Sequence, residues 1–572
     1  METGGGSGHG FLRPRRQPGG GGELDHRSAV HRSEVRAVTK RRFLLFVALL
    51  LATAQPAAET VYLNILHTND IHGGIAPTSA SFINPNFPPM MGGGAYISAY
   101  VDQVRERCRE SGEHCLMIDA GDIYQGTPVG NYDSGRLVVE WMNFVGYDIM
   151  TLGNHDFDDG AENAVELART ADFSVVCCNF LQTETGSIPR PVEPYVIRDV
   201  EGVEVAFVGV NTPDTYGLVD PALLEGYLFG NEVQTVRRAM DRAREEGADV
   251  VVLVSHLGQP PDPDRYLESV LRSWESDSGY AKEWALNNVE LSTVLPGIDV
   301  IVSGHIHIGY AEPWINPVNH TIVVQGYANG TGIGHIRLAL DTETQTLVGY
   351  DLPYGEEYIS LFHDEFWPDP AATELIEGFR GLAEAGMDEV VGEAEEEIPR
   401  GPAEHPLGRL VADAMAWRTG ADVALMNRGG IRAAIPRGPI TPRIIYQAIP
   451  FQEDLYVLEL TGEELVEVLE AGMAGRRRDM EISGVHAVRN QSMPDGQKTE
   501  ELLVGGEPVH PDSMYELVTT GYLASGNIGY EVMLEHTGRY TGVTLLKAVV
   551  EYVREHSPVR ADDRMRIIWK DE

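Results

Sequence analysis

Short hydrophobic runs alternate with amphipathic segments along the first half of the chain. Between residues 61 and 339, apolar runs of strand length are separated by stretches with helical spacing of apolar positions, such as 101–110, 163–171 and 232–246. The first pattern predicts buried strands, and the second predicts helices that cover them. Their alternation predicts an α/β domain, which we place at residues 59–350.

The second half resumes this alternation after a break. A polar, proline-containing stretch precedes helical spacing at 371–385, so residues 351–386 are predicted to be a linker with one helix. Helix and strand patterns then alternate again, at 407–419, 422–426, 462–472 and 515–520. Residues 387–572 are therefore predicted to form a second α/β domain.

One long segment interrupts the first domain. Residues 258–288 carry proline, tryptophan, tyrosine and acidic side chains between two predicted strands. A connection of this length predicts a surface insertion, either a lid over a site or a decoration without a function.

The amino-terminal 58 residues have the pattern of an exported protein. Residues 1–36 are rich in glycine, arginine and serine, and a basic stretch at 40–42 precedes an apolar run at 43–54 and then small residues. This order is typical of a secretory signal, and the run is shorter than the roughly 20 residues that span a bilayer. Residues 1–58 are predicted to be a disordered extension and a signal peptide, with a signal anchor or buried helix as the alternatives. The polar carboxyl terminus argues against a membrane anchor, so the protein is expected to be secreted or periplasmic.

An excess of acidic residues limits the classes of molecule that the protein is expected to bind. The chain has 44 Lys and Arg against 86 Asp and Glu, a formal net charge of -42. Such a surface repels phosphate backbones, which excludes a nucleic acid polymer as the main partner. The first 58 residues carry more cations than anions, so the remainder of the chain is more acidic still.

Four cysteines leave the redox state open. Cys108 and Cys115 flank a polar turn, so they can close a small loop in an oxidising compartment or remain free. Cys177 and Cys178 lie in an apolar run and are predicted to be buried thiols. None of these spacings is that of a zinc finger.

The main chemical feature is a polar residue with metal-binding capacity just beyond the end of each of five predicted strands. The strands are 61–67, 116–120, 149–152, 250–255 and 300–303, and the side chains are Asp70, His72, Asp122, Asn154, His256, His305 and His307. Singly, such residues are more often turn residues or helix caps. Ligand sites in α/β sheets lie beyond the carboxyl ends of the strands, so we expect all seven side chains to converge.

The donor types predict which metals bind. A mixture of carboxylate, amide and imidazole donors suits Mn, Zn, Fe or Co. Seven donors are too many for one tetrahedral ion, and a carboxylate shared between two ions resolves the excess. The sequence therefore predicts two divalent metal ions.

These segments resemble a known family. The stretches ILHTNDIH (65–72), DAGDIYQGT (119–127), LGNHDFD (152–158), SHLG (255–258) and SGHIH (303–307) resemble the ordered motifs of the 5′-nucleotidase family of calcineurin-like metallophosphoesterases. The resemblance implies a β-sandwich flanked by helices, a linker helix and a carboxyl-terminal α/β substrate-binding domain. It also implies that the two domains rotate about the linker.

The same resemblance implies how the metal ligands divide. One ion would be held by Asp70, His72, Asp122 and His307, and the other by Asp122, Asn154, His256 and His305. Asp122 would be the shared carboxylate. The position of His307 varies in the family among Asn, Gln and His.

A catalytic pair follows Asn154 directly. His155 and Asp158 are three residues apart, a spacing that brings the two side chains together on one helical turn. The carboxylate would favour the imidazolium, which can stabilise transition-state charge or protonate the leaving oxygen. The resemblance implies the same dyad, although the family usually has Glu at the position of Asp156. The alternative is that His155 only hydrogen-bonds near the metals.

The substrate residues come from the resemblance. It implies that Asn427 and Arg432 bind substrate and that Phe451 and Tyr530 sandwich a nucleobase. Without it, the two aromatic residues would be assigned to the core and Arg432 to the surface. The sequence departs from the family at Arg428, where a small residue is usual, at 405–406 and at 527–528, all near the predicted nucleoside pocket.

The function expected from these observations is phosphate release from nucleotides by a secreted enzyme with two metal ions. The alternatives keep the metals and change the substrate to 2′,3′-cyclic nucleotides, nucleotide sugars or a protein-bound thiosulfonate. A non-catalytic surface binding protein on the same scaffold is a further alternative.

Overall fold

The computed structural model describes residues 60–570 apart from 81–86, 220, 276–284, 402–403, 452, 473–479, 495, 525, 527–528 and 537. The predicted extension and signal peptide at 1–58 therefore lie outside the described residues. So does the departure from the family at 527–528.

Two sheets face each other in the first half of the described chain. The first has the order Thr346–Asp351, Gly332–Asp341, Thr60–Thr68, His114–Asp119, Ile149–Thr151 and Ser174–Val176, with Tyr358–Ser360 also paired to Gly332–Asp341. The second has the order Trp314–Ile315, Ile322–Gln325, Val300–Ser303, Val250–His256, Val203–Asn211 and Tyr195–Val200. The central strands of each sheet run parallel, so their carboxyl ends share an edge.

Alternating side chains divide the core into layers, as expected for strands buried on both faces. In the strand Val250–His256, Val252 packs between the two sheets, while Val251 and Leu253 pack on the outer face. The inner layer also contains Leu63 and Ile65 from the first sheet. The result is a β-sandwich with helices on both outer faces.

The helices of this half lie outside the sandwich. The α-helices are Gly94–Ser111, Pro128–Asn131, Arg136–Val145, Ala161–Thr170, Glu232–Glu245, Pro263–Glu275 and Asn288–Val294. Short 3₁₀ helices are Tyr132–Gly135, His155–Phe157, Pro213–Gly217 and Pro221–Leu224. Two-stranded pairs join Thr78–Ser79 to Met90–Met91 and Phe180–Gln182 to Tyr227–Phe229.

The linker helix is Pro370–Ala383, close to its predicted bounds. Asp369 caps it by accepting the N–H of Ala371, and proline at the first position suits a helix start. Its buried residues Ile376 and Phe379 belong to the core outside the first sheet. The helix therefore packs on the first half of the chain.

A second α/β unit follows. Its five-stranded sheet has the order Glu481–Ser483, Val423–Met426, Met514–Thr520, Asp454–Thr461 and Arg539–Thr544, and its four-stranded sheet has the order Glu507–Pro508, Thr499–Val504, Val485–Asn490 and Ile567–Lys570. Gly392–Ala394 pairs with Gly438–Ile440. The α-helices are Pro406–Thr419, Pro442–Ala448, Gly462–Ala471, Gly521–Ala524 and Leu545–His556, and the 3₁₀ helices are Arg428–Gly430 and Glu531–Glu535.

The predicted fold class is confirmed, including the sandwich, the linker helix and the second α/β domain. The domain boundaries themselves stay a prediction. All four cysteines are free thiols in the structure. Cys108, Cys177 and Cys178 are buried, the last two as predicted. Among the described residues, none of the helices is both long and apolar enough to cross a membrane.

Candidate functional site

The ends of five strands converge at one edge of the sandwich. Asp70 Oδ1 lies 3.9 Å from His256 Nε2 and 3.4 Å from His307 Nε2, although these residues are far apart in sequence. Asp122 Oδ2 lies 3.0 Å from His256 Nε2 and 3.9 Å from His72 Nε2. Four of the donors come from loops that follow strands of the first sheet. In the second sheet, His256 ends the strand Val250–His256, and His305 and His307 follow the strand Val300–Ser303. The site therefore bridges both sheets.

Two overlapping groups of donors have the spacing of metal sites. One contains Asp70, His72 and His307, and the other contains Asp70, Asp122 and His256, with donor atoms within 4.8 Å of one another in each group. The rings of His256 and His305 are 5.1 Å apart, so His305 borders the second group. The structure thus brings together the side chains that the sequence singled out.

The backbone at these donors adopts a conformation that side chains usually avoid. The φ angles are positive at Asp70 (50°), His72 (49°), Asp122 (60°), His305 (91°) and His307 (53°). A residue other than glycine in this region costs of order 1 to 3 kcal/mol, and such residues cluster at functional sites. The surrounding fold must hold the donors in these positions.

Glycine is required where the loops touch. A Cβ at Gly153 would lie 2.2 Å from Asp122 Oδ1, and one at Gly304 would lie 2.9 Å from the carbonyl oxygen of Ala120. A side chain at either position would push the donor loops apart.

Buried polar atoms test whether a cation fits. His256 Nδ1 faces the carbonyl oxygen of Ala120 at 2.7 Å, so Nδ1 carries a proton and Nε2 is the nitrogen that faces the carboxylates. Nε2 lies 3.0 Å from Asp122 Oδ2, and these two atoms attract each other only when a proton or a metal cation lies between them. Asn154 Oδ1 is also buried without a partner. A cation that replaces the proton could bind Nε2, Oδ2 and Asn154 Oδ1, so the donors fit divalent metal ions.

The electrostatics agree with this fit. Burial opposes the ionisation of Asp70 and Asp122, but nearby imidazoles outweigh it and hold both carboxyl pKa values below their usual range. Burial lowers the pKa of His72 and of His305 to about 4, which keeps both rings neutral. Burial also opposes the charged form of His256, but the Asp122 carboxylate outweighs it and raises that pKa to about 9. The carboxylates that hold this proton would equally attract a cation.

The predicted dyad is formed at the rim of these donors. His155 Nδ1 lies 2.8 Å from Asp158 Oδ2 on the 3₁₀ helix His155–Phe157. The rings of His155 and His72 are 5.3 Å apart, so the imidazole borders the donors. Burial disfavours the cation, but the carboxylates of Asp158 and Asp122 outweigh it and raise the pKa of His155 to about 10. The imidazolium is therefore the stable form at neutral pH.

Asp156 has a role that the sequence did not reveal. Its fully buried carboxylate accepts the N–H groups of Asp122 and Gly153 through Oδ2, at 3.0 and 2.8 Å, and the N–H of Ile123 through Oδ1 at 3.0 Å. It therefore ties the loop of Asp122 to the loop of Asn154. In the sequence, the only sign of this role is that Asp156 lies in the LGNHDFD stretch, at a position where the family usually has Glu.

The predicted substrate residues are only partly together. Arg432 and Phe451 are in contact, with the guanidinium carbon 5.1 Å from the ring centroid. Asn427 is partly exposed at the end of the strand Val423–Met426. Tyr530, however, is fully buried in the core of the second unit, which agrees with the core assignment made without the resemblance. In this structure its ring offers no free face to a base, and its stacking role stays a prediction.

Two departures from the family meet at one buried carboxylate. Arg428 Nε donates to Glu481 Oε1 at 3.2 Å, and His405 Nε2 lies 3.5 Å from the same oxygen. Glu481 has no exposed surface, and burial raises its pKa to about 7. The Arg428 side chain is thus directed to an internal ion pair rather than to Arg432 and Phe451.

Comparison with known proteins gives the same two parts. A family model described as calcineurin-like phosphoesterase matches residues 63–309, and one described as 5′-nucleotidase, C-terminal domain, matches residues 390–535. The crystal structure of a 5′-nucleotidase precursor from Thermus thermophilus is 27% identical, with a TM-score of 0.70 over 89% of this chain and 100% of that one.

This chain matches very different fractions of the length of two curated relatives. A 5′-nucleotidase from Vibrio cholerae is 25% identical over 88% of this chain and 92% of its own length. Endonuclease YhcR from Bacillus subtilis is 29% identical over 87% of this chain, but this chain spans 40% of that protein.

Proposed function

Since this chain belongs to the 5′-nucleotidase family of calcineurin-like metallophosphoesterases and is a metal-dependent phosphoric ester hydrolase, we propose that it releases phosphate from nucleotides with two divalent ions. The domain boundaries that we propose, 59–350 for catalysis, 351–386 for the linker and 387–572 for substrate binding, enclose both matched ranges.

The observation that carries the proposal is the buried pair of His256 Nε2 and Asp122 Oδ2, which lie 3.0 Å apart, a distance that a cation can bridge. One ion would be held by Asp70, His72, Asp122 and His307, and the other by Asp122, Asn154, His256 and His305, the division that the family resemblance implies. The close approach of Asp70, His72 and His307, and that of Asp122 and His256, support it. When bound, such ions polarise a phosphoryl oxygen and lower the pKa of a water molecule. The donors of both ions are already directed towards one another by the strand ends.

His155 supplies the proton chemistry in this proposal. Its hydrogen bond to Asp158 fixes the proton on Nδ1 and leaves Nε2–H to donate. From the rim of the site, the imidazolium would stabilise negative charge on the phosphoryl group or protonate the leaving oxygen.

Arg432 and Phe451 support a nucleotide as the substrate. A guanidinium beside an aromatic ring offers a bidentate donor and a stacking face in one place. The amino-terminal pattern at 1–58 supports action outside the cytoplasm.

Metal analysis followed by a substrate panel tests the proposal. Protein loaded with Mn²⁺ is incubated with AMP, ADP, UDP-glucose, 2′,3′-cyclic AMP and single-stranded DNA. Released phosphate is measured for AMP and ADP, and the nucleotide or oligonucleotide products of all five compounds are separated by chromatography. We expect two ions per chain and release from AMP. Asp122→Ala should lose metal and activity. Asp299→Asn is the control, because that carboxylate accepts the N–H of Val251 in the second sheet, at the end of its strands opposite to the donors.

Two results would contradict the proposal. Fully metallated protein that hydrolyses none of these compounds would favour the non-catalytic binding protein. Hydrolysis confined to the cyclic nucleotide, the nucleotide sugar or DNA would keep the chemistry and replace the substrate.

A further inference from the structure

A single buried amide lies behind the site and bonds to several of its loops. Gln325 is the last residue of the strand Ile322–Gln325 and has no exposed surface. Its Oε1 accepts the Ser303 hydroxyl at 2.7 Å and the backbone N–H of Gln259 at 2.8 Å. Its Nε2 donates to the carbonyl oxygen of Ile308 at 2.7 Å. One side chain thus joins the segment of Gln259 to the two ends of the segment from Ser303 to Ile308.

Each of these segments carries candidate metal ligands. Gln259 is three residues after His256, Ile308 directly follows His307, and Ser303 is two residues before His305. The Gln325 amide therefore fixes the spacing between the loop of His256 and the loop of His305 and His307.

The next residue extends the connection to a third loop. The backbone N–H of Gly326 donates to Asn69 Oδ1 at 2.9 Å, and Asn69 Nδ2 donates to the Gly326 carbonyl oxygen at 3.1 Å. Asn69 directly precedes Asp70, and its Nδ2 also donates to Asp70 Oδ2 at 2.6 Å. The Gln325–Gly326 pair thus contacts loops from both sheets.

Further hydrogen bonds fix Ser303, a partner of the Gln325 amide, and the backbone of Gln325. Ser303 accepts from Asn288 Nδ2 at 2.7 Å, and Asn288 Oδ1 accepts from Ser255 at 2.6 Å. The backbone N–H of Gln325 donates to Glu357 Oε1. Glu357 is fully buried, and burial raises the pKa of its carboxyl group well above the usual value. Both polar atoms of the buried Gln325 side chain therefore have hydrogen-bond partners.

We propose that Gln325 is a positioning residue that sets the geometry of the metal site by fixing the loops of His256, His305 and His307 relative to one another. The inference rests on the proposed function, since it requires that these histidines bind metal. Removing a partner that orients metal ligands typically costs 10- to 100-fold in metal affinity.

Mn²⁺ binding to metal-free protein tests the role without relying on activity. Gln325→Leu removes the whole amide, and Gln325→Glu keeps Oε1 but places an oxygen against the Ile308 carbonyl. The matched control is Asn316→Leu, because Asn316 is equally buried and bonds to Ser292 and Thr293, away from the ligand loops. Titration by calorimetry or electron paramagnetic resonance should give a Kd raised about 10- to 100-fold in Gln325→Leu, raised in Gln325→Glu, and unchanged in Asn316→Leu.

The kinetics separate positioning from catalysis. Saturating Mn²⁺ should restore most of the kcat of the Gln325 variants. If Gln325→Leu does not fold, Gln325→Glu supplies the same comparison. Folded Gln325 variants that bind Mn²⁺ as tightly as the wild type would overturn the inference. Wild-type protein that binds Mn²⁺ but cleaves no phosphoester would overturn the proposed function, while the Kd comparison would still decide the role of Gln325.

Discussion

At the scale of single residues, the site combines strained backbone with unpartnered acceptors. Five of the seven candidate ligands have positive φ, and Asn154 Oδ1 and His256 Nε2 are buried without partners. Both features destabilise the metal-free fold locally. A bound cation would offset the second cost directly, since it would give both atoms a partner.

His155 is where catalysis and metal binding can be separated. His155→Ala should leave the metal content unchanged and lower kcat by about 10² to 10⁴, the usual contribution of a general acid. Metal analysis beside steady-state phosphate release checks this. Asp158→Asn is a useful companion, because it keeps the imidazole and removes the carboxylate that raises the pKa of His155. Metal lost together with activity in His155→Ala would instead make the residue a ligand.

At the scale of elements, the strand ends could be predicted because each is encoded locally. The apolar run, the turn and the donor lie within a few residues of one another, as in Val250–His256. The linker helix was predictable for the same reason, from its apolar spacing and its prolines. The convergence of the strand ends was inferred from the parallel arrangement, and the structure agrees.

The contacts that support these elements could not be read from the sequence. Asp156 binds the loop of Asp122, and Gln325 joins the loops of His256 and His307, through hydrogen bonds between residues far apart in the chain. Aspartate and glutamine in such places also suit ordinary turns and strand ends. Tyr530 shows the converse, because the family motif implies a stacking role, which stays a prediction, while the packing of the second unit buries the ring in this structure.

Asp156 connects the loop of Asp122 to the loop of Asn154, so a substitution there should affect both stability and metal binding. Asp156→Asn places an NH₂ group where a carboxylate oxygen accepts backbone N–H groups, so at least one buried donor loses its partner. The free energy of unfolding should fall by about 1 to 3 kcal/mol, and Mn²⁺ affinity should fall as well. Urea unfolding and metal titration measure the two effects. Asp299→Asn should lower stability without changing Mn²⁺ affinity, and an equal loss of affinity there would contradict a specific role for Asp156.

At the scale of the whole molecule, the second unit has its own dependence on pH. Burial raises the pKa of Glu481 from 4.5 to about 7, against the opposing effect of Arg428. The folded state therefore binds a proton that the unfolded state releases between these values, and the stability from the protonated carboxyl group is lost as pH rises through about 7.

Glu481→Gln should remove this dependence. Relative to the variant, the wild-type free energy of unfolding should fall by about 3 kcal/mol between pH 4.5 and pH 7. Urea unfolding of both proteins at pH 5 and pH 8 measures the difference between their free energies of unfolding. The other titrating groups are the same in both proteins, so their contributions cancel in this difference. Parallel pH profiles for the two proteins would show that Glu481 titrates normally.

The origin of the donors in two sheets has a consequence for the lifetime of the protein. Asp70 and Asp122 follow strands of one sheet, and His256 and His305 follow strands of the other. An ion bound by both sets would cross-link the two sheets, and the sheets could not separate without releasing the ion. The concentration of free metal ions around the protein would then determine how long each molecule resists proteolysis, as well as how fast it hydrolyses its substrate.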